Sequence, residues 1–185
     1  MTGVVLAAGA GRRFGGPKAL VDFRGARLID RAVRLLHAGG CERVVVVSGA
    51  VELAVPDAEV VHNPDWETGM GSSLRVGLTA VGGEDAVVVP VDMPWLGPES
   101  IRRVLAADAS LAIATYGGVR AHPVLLGAPH HPGIIASAVG DAGARHYLRE
   151  HSHLVAEVPC DDTGSPRDVD HPRDLESDGD PPRGH

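Results

Sequence analysis

Apolar residues along this 185-residue chain fall into short unbroken runs separated by stretches with helical spacing. Val4-Val5-Leu6-Ala7-Ala8 is a continuous run closed by Gly9, the pattern of a strand buried on both faces. From Leu28 the spacing changes, and Leu28, Ile29, Ala32, Val33, Leu35 and Leu36 mark one face of a helix that Gly39-Gly40 ends. Arg43–Ser48 predicts a second buried strand and Glu59–His62 a short edge strand; residues 49–58 between them are too few for a full helix and carry Pro56. Ser72 and Ser73 are expected to cap a helix carrying Leu74, Leu78 and Val81. Asp85–Val91 reads as a third buried strand, Pro98-Glu99 opens a helix through Ile101, Val104 and Leu105, and Leu111–Thr115 is strand again. Gly117-Gly118 then turns the chain so that Pro123–Leu126 returns as a hairpin partner, before a helix over Ala142–Glu150 and a strand over Leu154–Val158.

Strands alternating with helices require right-handed crossovers, so the pattern predicts one doubly wound α/β domain. Its sheet is mostly parallel with a small antiparallel addition, over residues 1–176, and the polar, proline-containing stretch 177–185 is expected to be a disordered tail. Ligands in such sheets bind beyond the carboxyl ends of the strands, which places the loops after Ala8, Val91 and Thr115 on one rim.

Composition narrows the class of function. A chain of this length buries roughly 70% of its unfolded surface, so no disulfide or structural metal is needed. Cys41 and Cys160 form no C-x-x-C pair and are expected to be reduced thiols. No window is apolar enough to span a membrane, and the N-terminus has no basic residue ahead of its apolar run, as a signal peptide would, so a cytoplasmic location is expected. Nine acids against three arginines from Glu157 onward make the acidity a property of the C-terminal stretch. The near-neutral remainder has no basic stripe, which argues against nucleic acid as a partner. One asymmetry stands out: of 17 basic residues only Lys18 is lysine. It lies in a glycine-rich loop, where a compact point charge differs in use from arginine's planar fork.

That loop, Gly9-Ala-Gly-Arg-Arg-Phe-Gly-Gly-Pro-Lys18, follows the first strand directly. Glycines permit close backbone approach, so N–H groups can face an anion while Arg13 and Lys18 supply full charges. A dinucleotide fingerprint needs glycine where Phe14 stands and an acid where Ser48-Gly49 ends the second strand. A Walker loop aligned on Gly11 and Gly16 needs lysine where Pro17 stands. Both readings fail. A tight loop that binds nothing, and a carrier that binds a nucleotide without turnover, remain open on these residues alone.

The surviving pattern, L-A-A-G-x-G-x-R-x-G-x-x-K over Leu6–Lys18, resembles the signature of MobA-like nucleotidyltransferases, in particular the molybdenum cofactor cytidylyltransferases. Five further segments resemble the family in order: Asn63–Gly77, Val91-Asp-Met-Pro94, Ala121-His-Pro-Val124, Gly140-Asp-Ala-Gly-Ala-Arg145 and Asp168–Leu175. Departures are Phe14 for Met, Met93 for Gln and His171 for Thr, and segment 49–58 is shortened. None of these removes a charge.

The resemblance implies a transfer of CMP from CTP to a phosphorylated acceptor such as molybdopterin, with Mg2+ and release of pyrophosphate. Arg13, Lys18 and Asp92 would be catalytic. Leu6, Ala7, Ala8, Gly9, Gly11, Gly15, Lys18, Gly69, Ser72 and Ser73 would bind the nucleotide, the amides of residues 9–16 cradling its phosphates. Asp92 and Asp170 would hold the metal, and His122 and Arg145 would face the acceptor. Read without the resemblance, Asp92 is equally a turn or cap residue, Asp170 a solvated acid and Arg145 a surface arginine. GTP-using relatives carry L-A-G-G where this chain has Leu6-Ala-Ala-Gly9, so Ala8 points to CTP. A GTP-using enzyme and one acting on a sugar or polyol phosphate are the alternatives. The resemblance further implies a monomer or homodimer in transient contact with a molybdoenzyme or its chaperone.

Overall fold

The computed structural model describes residues 1–176; the tail expected at 177–185 lies outside the described residues. In chain order the elements are β1 (Thr2–Leu6), β2 (Asp22–Phe23), β3 (Ala26–Arg27), α1 (Leu28–Ala38), β4 (Arg43–Ser48), β5 (Glu59–His62), α2 (Met70–Val81), β6 (Ala86–Pro90), α3 (Pro98–Leu105), β7 (Leu111–Tyr116), β8 (Val119–Leu126), α4 (His131–Ser137), α5 (Arg145–Glu150) and β9 (Val155–Pro159). Seven strands form one sheet in the order β5-β4-β1-β6-β8-β7-β9, and β2 pairs with β3 in a separate antiparallel hairpin. The pairings of β1 with β4 and β6, of β4 with β5 and of β7 with β9 are parallel. β8 runs antiparallel to both neighbours, β6 and β7. No helix among the described residues is long and apolar enough to cross a membrane.

The valine runs explain the layering. Successive side chains on a strand point to opposite faces, so Val5, Val46, Val87 and Val89 join α1 and α3 in one core, with Ile29, Leu36 and Ile101. Val4, Val47 and Val88 join the other helical layer, with Leu74, Leu78, Ile134 and Leu148. Both faces of the sheet are therefore covered, which is why the strands read as continuous apolar runs and not as alternation.

Local differences from expectation have local causes. β1 begins and ends two residues earlier than the apolar run, although the Ala7 amide still donates to the Val47 carbonyl. The expected helix 142–150 shortens to α5, because Gly143 adopts a positive φ and separates it from the 3-10 turn Gly140–Ala142. α2 begins at Met70 with Gly69 as its N-cap, so Ser72 and Ser73 lie inside the helix and do not cap it.

Candidate active site

β1 and β6 are adjacent and parallel, with Leu6 paired to Pro90, so the loops that follow them leave the sheet side by side. This is where β1, the strand at which chain order reverses, meets its two neighbours, and ligands in such folds bind there. The glycine-rich loop leaves β1. Gly11 has φ +60°, a left-handed conformation that glycine adopts without strain, and a Cβ there would collide with the Gly16 carbonyl. The Gly11 carbonyl accepts hydrogen bonds from the amides of Gly15 and Gly16. Those two amides are thus used inside the loop, so the expected cradle of residues 9–16 loses them.

The loop delivers Lys18 into a 3-10 turn, where its ammonium lies 2.8 Å from Asp92 Oδ2 and 3.1 Å from Asp170 Oδ1. Asp92 follows β6 closely, while Asp170 arrives from 152 residues away on a C-terminal strap. The strap is stitched to the loop after β6 by the Val169 amide on the Asp92 carbonyl, the Ser165 amide on the Trp95 carbonyl and a bridge between Leu96 and Gly164. Burial works against the Lys18 charge, but the hydrogen bonds and charges of Asp92 and Asp170 hold its pKa above the ordinary lysine value. The Arg13 guanidinium is exposed and stands 3.8 Å from Asp170. Two carboxylates converging on one cationic point form a hard-oxygen donor set that a divalent ion fits when phosphate oxygens complete its shell.

A cavity of about 360 Å3 opens on this cluster, walled by Leu6, Ala8, Gly9, Gly11, Lys18, Gly69, Ser73 and Asp92. Its far side is the N-terminus of α2, whose partial positive charge favours an anion. Three of the residues expected to bind the nucleotide lie elsewhere: Ala7 is buried in the core, Gly15 is outside the lining, and Ser72 is buried with its hydroxyl directed to the Gly69 and Asp65 carbonyls; Arg13 and Asp170 are also outside the lining. Asn63, fully buried, donates to the hydroxyls of both Ser72 and Ser73 and so ties the loop before α2 to its first turn. Arg12, Trp66, Glu67, Met70, Pro90, Val91 and Asp141 complete the cavity wall. Trp66, Met70 and Asp141 stand in segments that carry the resemblance, yet nothing in their residue types alone marks them as lining a site.

Leu6 and Met70 also line a second cavity of about 550 Å3, so the two spaces share a wall. The second is floored by Leu74, Val88, Ile113, Val124 and Leu126 and rimmed by His122, Arg120, Arg145 and Arg149. Arg120 is ion-paired with Glu157 at 2.8 Å. His122 is half-buried; burial is the main reason its imidazole pKa falls to about 4, with Arg145 adding to the shift and Asp92 opposing it. Between pH 6.5 and 4 the unfolded chain binds a proton that the folded chain refuses, so stability is complete above pH 6.5 and declines as pH falls through that window. His122→Gln is expected to remove roughly 1–3 kcal/mol of that acid-side loss, measured by urea unfolding at pH 7.5 and 4.5. An unchanged difference between the two pH values would show an imidazole that titrates normally.

Residues 3–155 match the MobA-like NTP transferase domain. The nicotine blue oxidoreductase of Paenarthrobacter nicotinovorans is 37% identical over 187 aligned residues, covering 92% of both chains. The molybdenum cofactor guanylyltransferase of Rhodobacter capsulatus is 32% identical over 95% of this chain and 93% of that one. Among solved structures, Rv0371c from Mycobacterium tuberculosis H37Rv superposes with a TM-score of 0.83 at 28% identity, covering 95% of this chain and 97% of that chain. With the family match spanning most of the chain and relatives that align nearly end to end, this protein is an enzyme of the MobA-like NTP transferase family.

Proposed function

We propose that the enzyme transfers CMP from CTP to a phosphate-bearing acceptor of molybdopterin type and releases pyrophosphate. The observation that carries this reading is the placement of Lys18, Asp92 and Asp170 beside the glycine-rich loop, with a separate apolar cavity across a shared wall. An acceptor phosphate oxygen attacks the α-phosphorus of CTP, the new P–O bond forms in line with the breaking α–β bridge, and the electron pair leaves with pyrophosphate. No side chain needs to become covalently attached, so the work is positioning and charge neutralisation.

In this reading the loop amides and the α2 N-terminus hold the triphosphate, and Lys18 moves off the carboxylates onto the α-phosphate and the leaving group. Asp92 and Asp170 would then hold Mg2+, which when bound supplies charge to the phosphate oxygens. Arg13 sits at the solvent side of the triphosphate, and Arg145 and His122 orient the acceptor, the guanidinium fork matching a phosphate monoester.

Base choice rests on Ala8. It is 5% exposed, and a Cβ on the neighbouring Gly49 would touch both Ala8 and Trp66, so these residues form a closely built wall. Pyrophosphate release is expected to be faster with CTP than with GTP, and Ala8→Gly is expected to reduce that preference about 10-fold. Faster turnover of GTP by the unaltered enzyme would assign it to guanylyl transfer, as the name of the Rhodobacter relative has it.

A second reading is favoured by the relative named as an oxidoreductase, which aligns over 92% of both chains. Under it the loop would bind a reduced dinucleotide and the apolar cavity a flat dye. Phe14 and Ser48-Gly49 speak against it, because they lack the glycine and the acid that a dinucleotide fingerprint uses. Consumption of a reduced nicotinamide dinucleotide with no pyrophosphate from CTP would select this reading.

A further inference from the structure

We propose that Arg167 is a positioning residue for the reaction, the hub that sets Asp170 against Asp92. This rests on the reading of that carboxylate pair as metal ligands. The strap that carries Asp170 belongs to no strand or α-helix, and a carboxylate on such a segment converges on Lys18 only if the segment is held along its length.

Three contacts of Arg167 do this. Its guanidinium lies over the Trp95 ring, 5.0 Å from the centroid. Its Nη2 donates to the Asp174 carbonyl at 3.2 Å and stands 3.8 Å from the Asp174 carboxylate. Asp174 in turn accepts hydrogen bonds from the amides of Asp170 and His171, at 2.9 and 2.7 Å, which sets the backbone of Asp170 directly. Arg167 therefore closes the turn 167–174 around Asp170 from one side while anchoring it to Trp95 on the other.

Trp95 extends the connection. It follows Asp92 by three residues and meets Phe23 edge-on, with centroids 5.6 Å apart and planes at 69°. Phe23 belongs to β2, which follows the Lys18 turn, and the Arg24 and Arg31 guanidiniums lie over its ring at 5.0 and 5.1 Å. One run of contacts, with the Trp95 and Phe23 rings flanked by guanidiniums, thus joins the three segments that bring Lys18, Asp92 and Asp170 together. Each aromatic or cation contact contributes modestly, but the geometry transmits position: shifting Arg167 frees the turn that orients Asp170.

Outer residues that orient metal ligands commonly matter 10–100-fold for metal affinity, which sets the scale of the test. Mn2+ is titrated into nucleotide-free protein and bound metal is read by electron paramagnetic resonance, for the unaltered protein, Arg167→Ala and Asp92→Asn. Arg167→Ala is expected to weaken Mn2+ binding about 10-fold, while the KM for CTP at saturating Mn2+ stays within about twofold, because the loop 9–18 is untouched. A purely structural role would lower the melting temperature and leave the Mn2+ affinity of the folded protein unchanged. Should Arg167→Ala fail to fold, Arg167→Gln, which keeps a donor for the Asp174 carbonyl and loses the cation over Trp95, is expected to show the same weakening. Mn2+ affinity equal to the unaltered protein in the folded Arg167 variant, with Asp92→Asn impaired, would overturn the positioning role alone. Undiminished affinity in Asp92→Asn would overturn the metal-ligand reading and the positioning role with it.

Discussion

Replacing Lys18 with alanine is expected to lower kcat about 100-fold or more, the size associated with losing charge stabilisation aimed at the transition state. Steady-state pyrophosphate release from CTP with a phosphorylated acceptor is the measurement. The side chain is only 15% exposed, and its ammonium contacts both carboxylates. Partial burial lowers the effective dielectric and strengthens each of these contacts. The same geometry makes a second expectation with the opposite sign. Asp92 and Asp170 present oxygens to a point that the ammonium holds, so a divalent ion competes with Lys18 for them. Lys18→Ala is therefore expected to bind Mn2+ more tightly in the absence of nucleotide while turning over more slowly. A substitution that merely disordered the loop would weaken both. Lys18→Arg is not expected to restore turnover, because a planar fork held by two carboxylates is a different object from a mobile point charge. Turnover at the unaltered rate in Lys18→Ala would remove this residue from the chemistry.

Asp92→Ala is expected to cost at least about 100-fold in turnover as well, for a reason rooted in the sheet. Asp92 follows β6, whose Pro90 pairs with Leu6 of β1 and whose Ala86–Val89 are buried, so its carboxylate is carried by a strand inside the sheet. Asp170 depends on a strap. Removing Asp92 leaves one carboxylate, and the Mg2+ concentration needed for half-maximal activity should rise about 10-fold or more, read from a Mg2+ titration at fixed CTP. Excess Mg2+ should recover part of the rate in Asp92→Ala and none in Lys18→Ala, which separates loss of a ligand from loss of a transition-state charge. Equal behaviour of the two variants across the titration would mean that Lys18 and Asp92 share one role.

Much of this architecture is legible before folding is considered. Arg43–Ser48, Glu59–His62 and Pro98–Leu105 appear in the structure with the bounds their patterns imply. Apolar continuity and 3.6-residue spacing are local properties, and run length together with valine content separates the short strands from the helices. α4 escaped such reading because His131-Pro-Gly-Ile-Ile-Ala-Ser contains two residues that oppose helix formation. It forms because Ile134 is fully buried in the second core and Gly133 lets Tyr147 approach to within what would be contact distance of a Cβ. The β2–β3 hairpin is only two residues per strand, too short to leave a period, and Phe23 holds it through Trp95.

The site divides along the same line. The glycine loop follows β1 directly and Lys18 stands out as the one lysine among 17 basic residues, whereas the role of Asp92, which follows β6, came from the resemblance. Ser72 misled: serine before an apolar helix has the composition of a cap, yet Gly69 with φ +110° starts α2 three residues earlier. Asn63 and Asp141 carry no local signal of their roles, since one acts through buried hydroxyls nine and ten residues on and the other meets the Met70 amide 71 residues away.

By itself the order of apolar runs and glycines determined that this chain is a doubly wound α/β domain with a glycine-rich loop after its first strand, because those features depend on the nearest few residues. Which carboxylates face Lys18, which amides are used inside the glycine-rich loop, and where the two cavities share a wall were decided only in three dimensions. Contacts across 74 and 152 residues depend on strand order and on a strap laid beside the loop after β6, and neither leaves a periodic trace in the sequence.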